Sequence, residues 1–220
     1  MTFEIPDGLA PEAYPLAWLL GTWRGPGFLA YPDIPQRAVL TEAEFSHDGG
    51  PYLAYAATTW LLESPLDSLE GEIDVAAMQT GQVWSTERGF WRIAPTAPDD
   101  ASSLAEGAQD TQGTPGAQNT PGAAQNAPEE PVPPNAATET ALEVLLTEPS
   151  GHVSVFLGTA SGPRVELSTD LVARTATGVE ISAATRMYGL VGGELFWASD
   201  LAAFGHELQS YSSGRMQRQN

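Results

Sequence analysis

Through much of its length the chain alternates apolar and polar residues with a period of two, the spacing of a strand that turns one face inward. From Arg37 to His47, Val39, Ala43 and Phe45 fall on one parity and Glu42 and Glu44 on the other. Val165, Leu167, Thr169 and Leu171 share a face against Glu166, Ser168 and Asp170. Val179, Ile181, Ala183, Thr185 and Met187 share another against Glu180, Ser182 and Arg186. Turn residues separate such runs: Asp48-Gly49-Gly50-Pro51, Ser161-Gly162-Pro163, Thr177-Gly178 and Gly192-Gly193. The pattern predicts ten strands, four of them at 21–31, 37–47, 52–62 and 83–93. Six more follow at 142–147, 152–159, 165–173, 179–190, 195–203 and 207–216. Ten antiparallel strands joined as hairpins predict an all-β fold, an up-and-down barrel wide enough to keep a cavity. Before them, Leu16, Trp18, Leu19 and Leu20 suit one short helical turn between Pro11 and Leu20 that caps the barrel end.

The first strand carries the most restrictive stretch, Gly21-Thr22-Trp23-Arg24-Gly25-Pro26-Gly27. Glycines inside a strand mark a bend, a bulge or a close backbone approach. Such a strand can curl as a closed barrel requires, with Trp23 pointing inward to plug one end. The motif serves either as that closing corner or as a direct ligand contact. It is no phosphate loop, for no Lys-Ser/Thr pair follows it.

The alternation stops abruptly after the fourth strand. From Pro95 to Ala137 the residues are mostly Ala, Pro, Gly, Gln, Asn and Thr, with Leu104 and Val132 the only large aliphatics and no aromatic. Such a composition buries too little apolar area to offset its ordering entropy. Residues 1–220 therefore read as one barrel domain with a disordered, acidic insertion at about 95–138. Residues 63–82 read as a second acidic connection.

Charge narrows the function. The formal net charge is −19, with 28 acidic residues against nine arginines and no lysine. That excludes the basic face a nucleic-acid binder needs, and it disfavours docking on an anionic membrane. Without lysine there is no Schiff-base chemistry, and without cysteine no disulfide, zinc-thiolate or iron–sulfur site. The first twenty residues hold no basic side chain and no run approaches a membrane span, so a soluble, cytoplasmic protein is expected.

Little catalytic chemistry remains. His47 precedes a turn and His152 opens a strand, so both are expected to be exposed. No His-x-x-x-His or Gly-x-Ser-x-Gly pattern occurs, and no metal site or catalytic residue is assigned.

Leu19-Leu20-Gly21-Thr22-Trp23-Arg24-Gly25-Pro26-Gly27, followed by Tyr31-Pro32, resembles the G-x-W-x-G-x-G signature of the nitrobindin family. Members are small ten-stranded barrels of the calycin type, similar to fatty-acid-binding proteins, and many hold ferric haem. Phe45 to Tyr55 and Ser85 to Arg92 resemble further family blocks, with Gly50 where many members have lysine. In the family a histidine on the last strand, in a pattern like Gly-x-x-Leu-Gln-x-His, coordinates the iron. The matching stretch here is Gly205-His206-Glu207-Leu208-Gln209-Ser210-Tyr211, which puts Tyr211 at the ligand position. His206, five residues upstream, faces the other side of a regular strand. The resemblance implies the ferric nitrobindin-like subgroup without the haem histidine: a barrel for a small apolar ligand, with no cofactor. The alternative it leaves is a haem b protein that binds nitric oxide and isomerises peroxynitrite, with Tyr211 or His206 as axial ligand. A lipocalin-type carrier shares a Gly-x-Trp in its first strand but fits poorly with the absence of cysteines and of a signal peptide. The natural ligand and the oligomeric state are left open.

Replacing residues 97–137 by a four-residue Gly/Asn turn is expected to lower stability in thermal unfolding by less than about 2 kcal/mol. A larger loss would mean that the segment packs.

Overall fold

A computed structural model describes residues 5–63, 74–95 and 139–219. A 3₁₀ helix, Pro11–Leu19, precedes ten strands. They are β1 (Gly21–Tyr31), β2 (Ile34–Ser46), β3 (Leu53–Leu62), β4 (Thr80–Ile93) and β5 (Glu139–Glu148). The remainder are β6 (His152–Ser161), β7 (Arg164–Arg174), β8 (Ile181–Val191), β9 (Glu194–Ala203) and β10 (Gln209–Arg218). Each pairs antiparallel with its sequence neighbour, and β1 pairs with β10, which closes the barrel. The barrel unit is drawn from the chain before Pro95 and the chain after Ala137. The expected insertion lies outside the described residues, as does half of the acidic connection, residues 64–73. That connection ends in a short 3₁₀ turn, Val75–Ala77, whose first amides are capped by the Asp74 carboxylate.

The closing seam explains the glycines of β1. A Cβ at Gly25 would collide with the Arg215 carbonyl of β10, and one at Gly27 would stand 2.5 Å from the Ser213 carbonyl. Only a bare backbone lets β1 and β10 approach so closely. Trp23 is 0% exposed, and its indole N–H donates to the Leu19 carbonyl at 2.7 Å. Arg218, near the end of β10, lies 4.1 Å over the Trp23 ring and donates to the carbonyls of Trp18 and Leu20. Trp23 thus ties the helix, β1 and β10 into one knot. Arg24 reaches across to Glu42 at 2.8 Å, and Thr22 accepts the Gln219 amide through its carbonyl.

Beneath the helix the barrel is packed solid. Leu16, Leu19, Trp23, Phe45, Leu53, Trp91, Leu142 and Leu146 belong to one buried cluster. Trp91 meets Phe45 edge-on at 5.2 Å and Tyr188 at 5.2 Å, with Tyr55 at 5.7 Å.

Two expected strand faces are corrected by β-bulges. One bulge in the β6–β7 pairing, between Val155 and Phe156, makes Phe156 face Thr169 and Val155 face Leu171. Leu171 is consequently exposed, whereas Val172 lines the interior. A second, between Ile181 and Ala183, turns Met187 outward and brings Ala184, Arg186 and Tyr188 to the inside. A bulge inserts one residue, and with a period of two that exchanges the faces beyond it.

Trp23→Ala is expected to cost about 3–5 kcal/mol in chemical denaturation, as aromatic truncations in cores do. A cost below about 1 kcal/mol would show that the seam holds without it.

Candidate functional site

The open half of the barrel holds a cavity of about 620 Å³, within the range typical of small-ligand sites. Its wall is largely apolar and aromatic: Val83, Trp84, Phe156, Val172, Ile181, Phe204, Tyr31 and Tyr211. A smaller pocket of about 100 Å³ adjoins it and shares Trp84, Glu87, Arg186 and Tyr211.

At its base lies a half-buried ion pair, its side chains 15% and 16% exposed, that joins β4 to β8. Arg186 donates from both terminal nitrogens to the two Glu87 oxygens, each at 2.7 Å. The Tyr55 hydroxyl donates to Glu87 at 2.7 Å. Burial pushes the Glu87 carboxyl upward, but the Arg186 charge and the hydrogen bonds from Arg186 and Tyr55 outweigh it, and the net is below the ordinary carboxylate value. Burial, with the Glu87 charge added, raises the Tyr55 phenol well above its usual value, so it stays a neutral donor. Arg186 also lies 5.1 Å over the Phe156 ring. The pair therefore separates the aromatic core from the cavity without presenting a free charge. Sequence reading recognised Glu87 only as part of a family-like block and set Arg186 on a polar face. The two are 99 residues apart, and only the bulge in β8 turns Arg186 inward.

The three histidines divide. His152, expected at the surface, is 4% exposed and lines the cavity. Its Nε2 lies 2.7 Å from the Val179 carbonyl, which can only accept, so Nε2 carries a proton. Its Nδ1 lies 3.0 Å from the Ser150 hydroxyl. The turn Thr175–Val179 folds back over the start of β6 and covers the ring, which a strand-by-strand reading does not anticipate. His47 is half-buried rather than exposed, with its Nδ1 shielded from solvent. His206 lies in the turn before β10, 3.4 Å from the exposed Asp33 carboxylate and edge-on to Tyr31.

Tyr211 is on the cavity wall. A bulge between Ser210 and Ser212 sets it apart from the β9 register. Tyr211 and His206, the latter in the preceding turn, both contact Tyr31, at 6.0 and 5.7 Å between ring centroids. The Trp84 indole N–H donates to the Tyr211 hydroxyl at 2.7 Å. Burial raises the Tyr211 phenol above its ordinary value, and the charge of Glu148 adds to this against the Trp84 hydrogen bond. None of the motif residues Gly21 to Gly27 lines the larger cavity. Among the described residues no cluster of three or more metal-ligating His, Asp or Glu side chains occurs, and no helix is long and apolar enough to cross a membrane.

Glu87→Ala strands a half-buried guanidinium and is expected to cost about 3 kcal/mol, the low end for a broken buried pair. The Glu87 carboxyl has its folded value below the unfolded one, so its stabilisation is complete above about pH 4.3 and is lost as pH falls through the folded value. Glu148, raised chiefly by burial, works in the opposite sense. The readout is therefore the difference between wild type and Glu87→Gln in denaturant titrations from about pH 7 to about pH 3. That difference is expected to shrink towards acid.

Comparison with known proteins agrees with this architecture. Residues 12–218 match the family described as the THAP4-like, heme-binding beta-barrel domain. A protein of Beutenbergia cavernae named ferric nitrobindin-like protein is 58% identical over 219 residues, covering 99% of each chain. A protein of Leifsonia xyli named peroxynitrite isomerase is 37% identical, covering 97% of each chain. The solved structure of Rv2717c from M. tuberculosis shares the fold, with a TM-score of 0.64 over 96% of this chain and 99% of that one at 23% identity. With a closed ten-stranded antiparallel barrel and these relatives, the chain belongs to the THAP4-like, nitrobindin-type β-barrel family.

Proposed function

We propose that this protein is a cytoplasmic ferric nitrobindin-like binding barrel that takes a small apolar ligand and does not hold haem through the family's histidine. The observation that carries the reading is the donor set of the cavity. Tyr211 stands where the family pattern has histidine, and its hydroxyl oxygen accepts the Trp84 N–H. A neutral phenol is a weak iron ligand, and burial opposes its ionisation. His152 has both ring nitrogens engaged, and His206 is turned to Asp33. Ferric haem fits this set poorly, because no imidazole nitrogen with a free lone pair is aimed into the cavity among the described residues.

Without an iron ligand, the residues act by shape and exclusion of water. Trp84, Phe156, Phe204 and Ile181 supply apolar contact, and the Glu87–Arg186 pair closes the base. Such a site binds and does not transform. The second reading, a tyrosinate-ligated haem protein with peroxynitrite isomerase activity, draws on the Leifsonia xyli relative and on Tyr211 lining the cavity.

Parallel titration with ferric haem separates the two. Wild type is expected to bind weakly and without fixed stoichiometry, with no sharp shift of the main haem band. Tyr211→His supplies an imidazole at the same point and is expected to tighten binding by about tenfold or more. Tight one-to-one binding by wild type that disappears in Tyr211→Phe would overturn the proposal in favour of the haem reading.

A further inference from the structure

The cavity has an uneven charge inventory. Its charged lining groups, among the described residues, are Glu87, Arg186 and Glu148. Glu87 and Arg186 neutralise each other through two hydrogen bonds, and the remaining Arg186 nitrogen, Nε, is sealed from solvent and cannot meet a ligand. The Glu148 carboxylate forms no ion pair among the described residues; the side chain that meets it there is Ser150, whose hydroxyl donates to it at 3.1 Å while lying 3.0 Å from His152 Nδ1. One negative charge is thus left over in a largely apolar chamber.

The aromatic side chains line the same chamber as that charge. Glu148 lines the same cavity as Tyr211, Trp84, Tyr31 and Phe204; Trp84 is hydrogen-bonded to Tyr211, and Tyr31 stands edge-on to Tyr211 with Phe204 at 6.1 Å from Tyr31. Electron-rich ring faces beside one carboxylate attract a cation, most strongly one too weakly hydrated to prefer water. The same lining repels a carboxylate or phosphate, because no free guanidinium answers it.

We propose that the ligand is an apolar organic cation, an aromatic or alkyl ammonium compound, whose charge sits between Glu148 and the Trp84–Tyr211 pair. This rests on the binding-barrel reading and adds the ligand's class. Phe204 contributes a further feature. It has a left-handed φ of 54° and is followed by Gly205 at 81°, a costly backbone for a bulky residue, and it holds its ring at the cavity mouth. Burial and the neighbouring Glu87 raise the Glu148 carboxyl, against the lowering effects of Arg186, Ser150 and His152. A bound cation beside the carboxylate favours its charged form.

Three probes of one size decide this by isothermal titration calorimetry on the full chain: naphthylmethyl-trimethylammonium, naphthylmethanol and naphthoate. The ammonium probe is expected to bind on the order of tenfold tighter than the alcohol, and naphthoate weakest. Glu148→Gln is expected to erase the cation's advantage while alcohol binding stays. Should that variant lose alcohol binding as well, Trp84→Leu decides, and it is expected to weaken the cation more than the alcohol. Equal binding of cation and alcohol by wild type, or an advantage untouched by both substitutions, would overturn the cation inference and leave the binding barrel standing. No binding of any probe by folded wild type would overturn both.

Discussion

Closure of the β1–β10 seam is the constraint on which the rest of the structure depends. A ten-stranded sheet gains an interior only when its edges meet, and here they meet where side chains would forbid it. Gly25 and Gly27 give up side-chain contacts and backbone entropy so that β10 can lie against them. Trp23 and Arg218 then lock the seam to the helix through carbonyls that a 3₁₀ terminus leaves unpaired. One half of the barrel fills with rings, and the other half remains open. The motif of β1 is thus geometry first, and its influence on the cavity is indirect.

The Glu87–Arg186 pair has a similar double effect. In isolation a buried ion pair contributes little net stability, because desolvation offsets the attraction. Its value here is positional. It satisfies Tyr55, pins β4 to β8 across the interior and sets the floor of the cavity, yet leaves no net charge for a ligand. The chemistry of the site is consequently decided at the wall and mouth, by Tyr211, Trp84, Phe204 and Glu148. An imidazole with a free nitrogen at that point of the wall would offer iron a neutral donor; the phenol of Tyr211 offers one only after losing a proton, which burial opposes.

Much of the fold was legible because hairpin strands advertise themselves by parity and by turn residues. The bounds of β1, Gly21–Tyr31, follow directly from its glycines and the proline after it, and the helix follows from Leu16, Leu19 and Leu20. What parity could not convey was the effect of bulges. No single residue marks those near Asp170, Ser182 and Tyr211, yet each changes which side chains face inward. The expected faces of Leu171, Met187 and Arg186 failed for this reason. The parity applied to His206 has no strand to act on, for His206 lies in the turn before β10; both it and Tyr211 meet Tyr31, and only Tyr211 lines the cavity. His152 was misjudged because its burial comes from a turn 27 residues away. The ion pair could be suspected only by noticing one arginine and one glutamate near inward positions of distant strands.

The proposed binding barrel keeps a ligand cavity without the donor that would hold iron. The most direct measurement is the visible absorption spectrum of the protein as purified from cells supplied with a haem precursor, with iron porphyrin quantified per chain. The account predicts only trace haem and a cavity free to take other ligands. A haem band at one equivalent per chain, surviving purification and gel filtration, would contradict it.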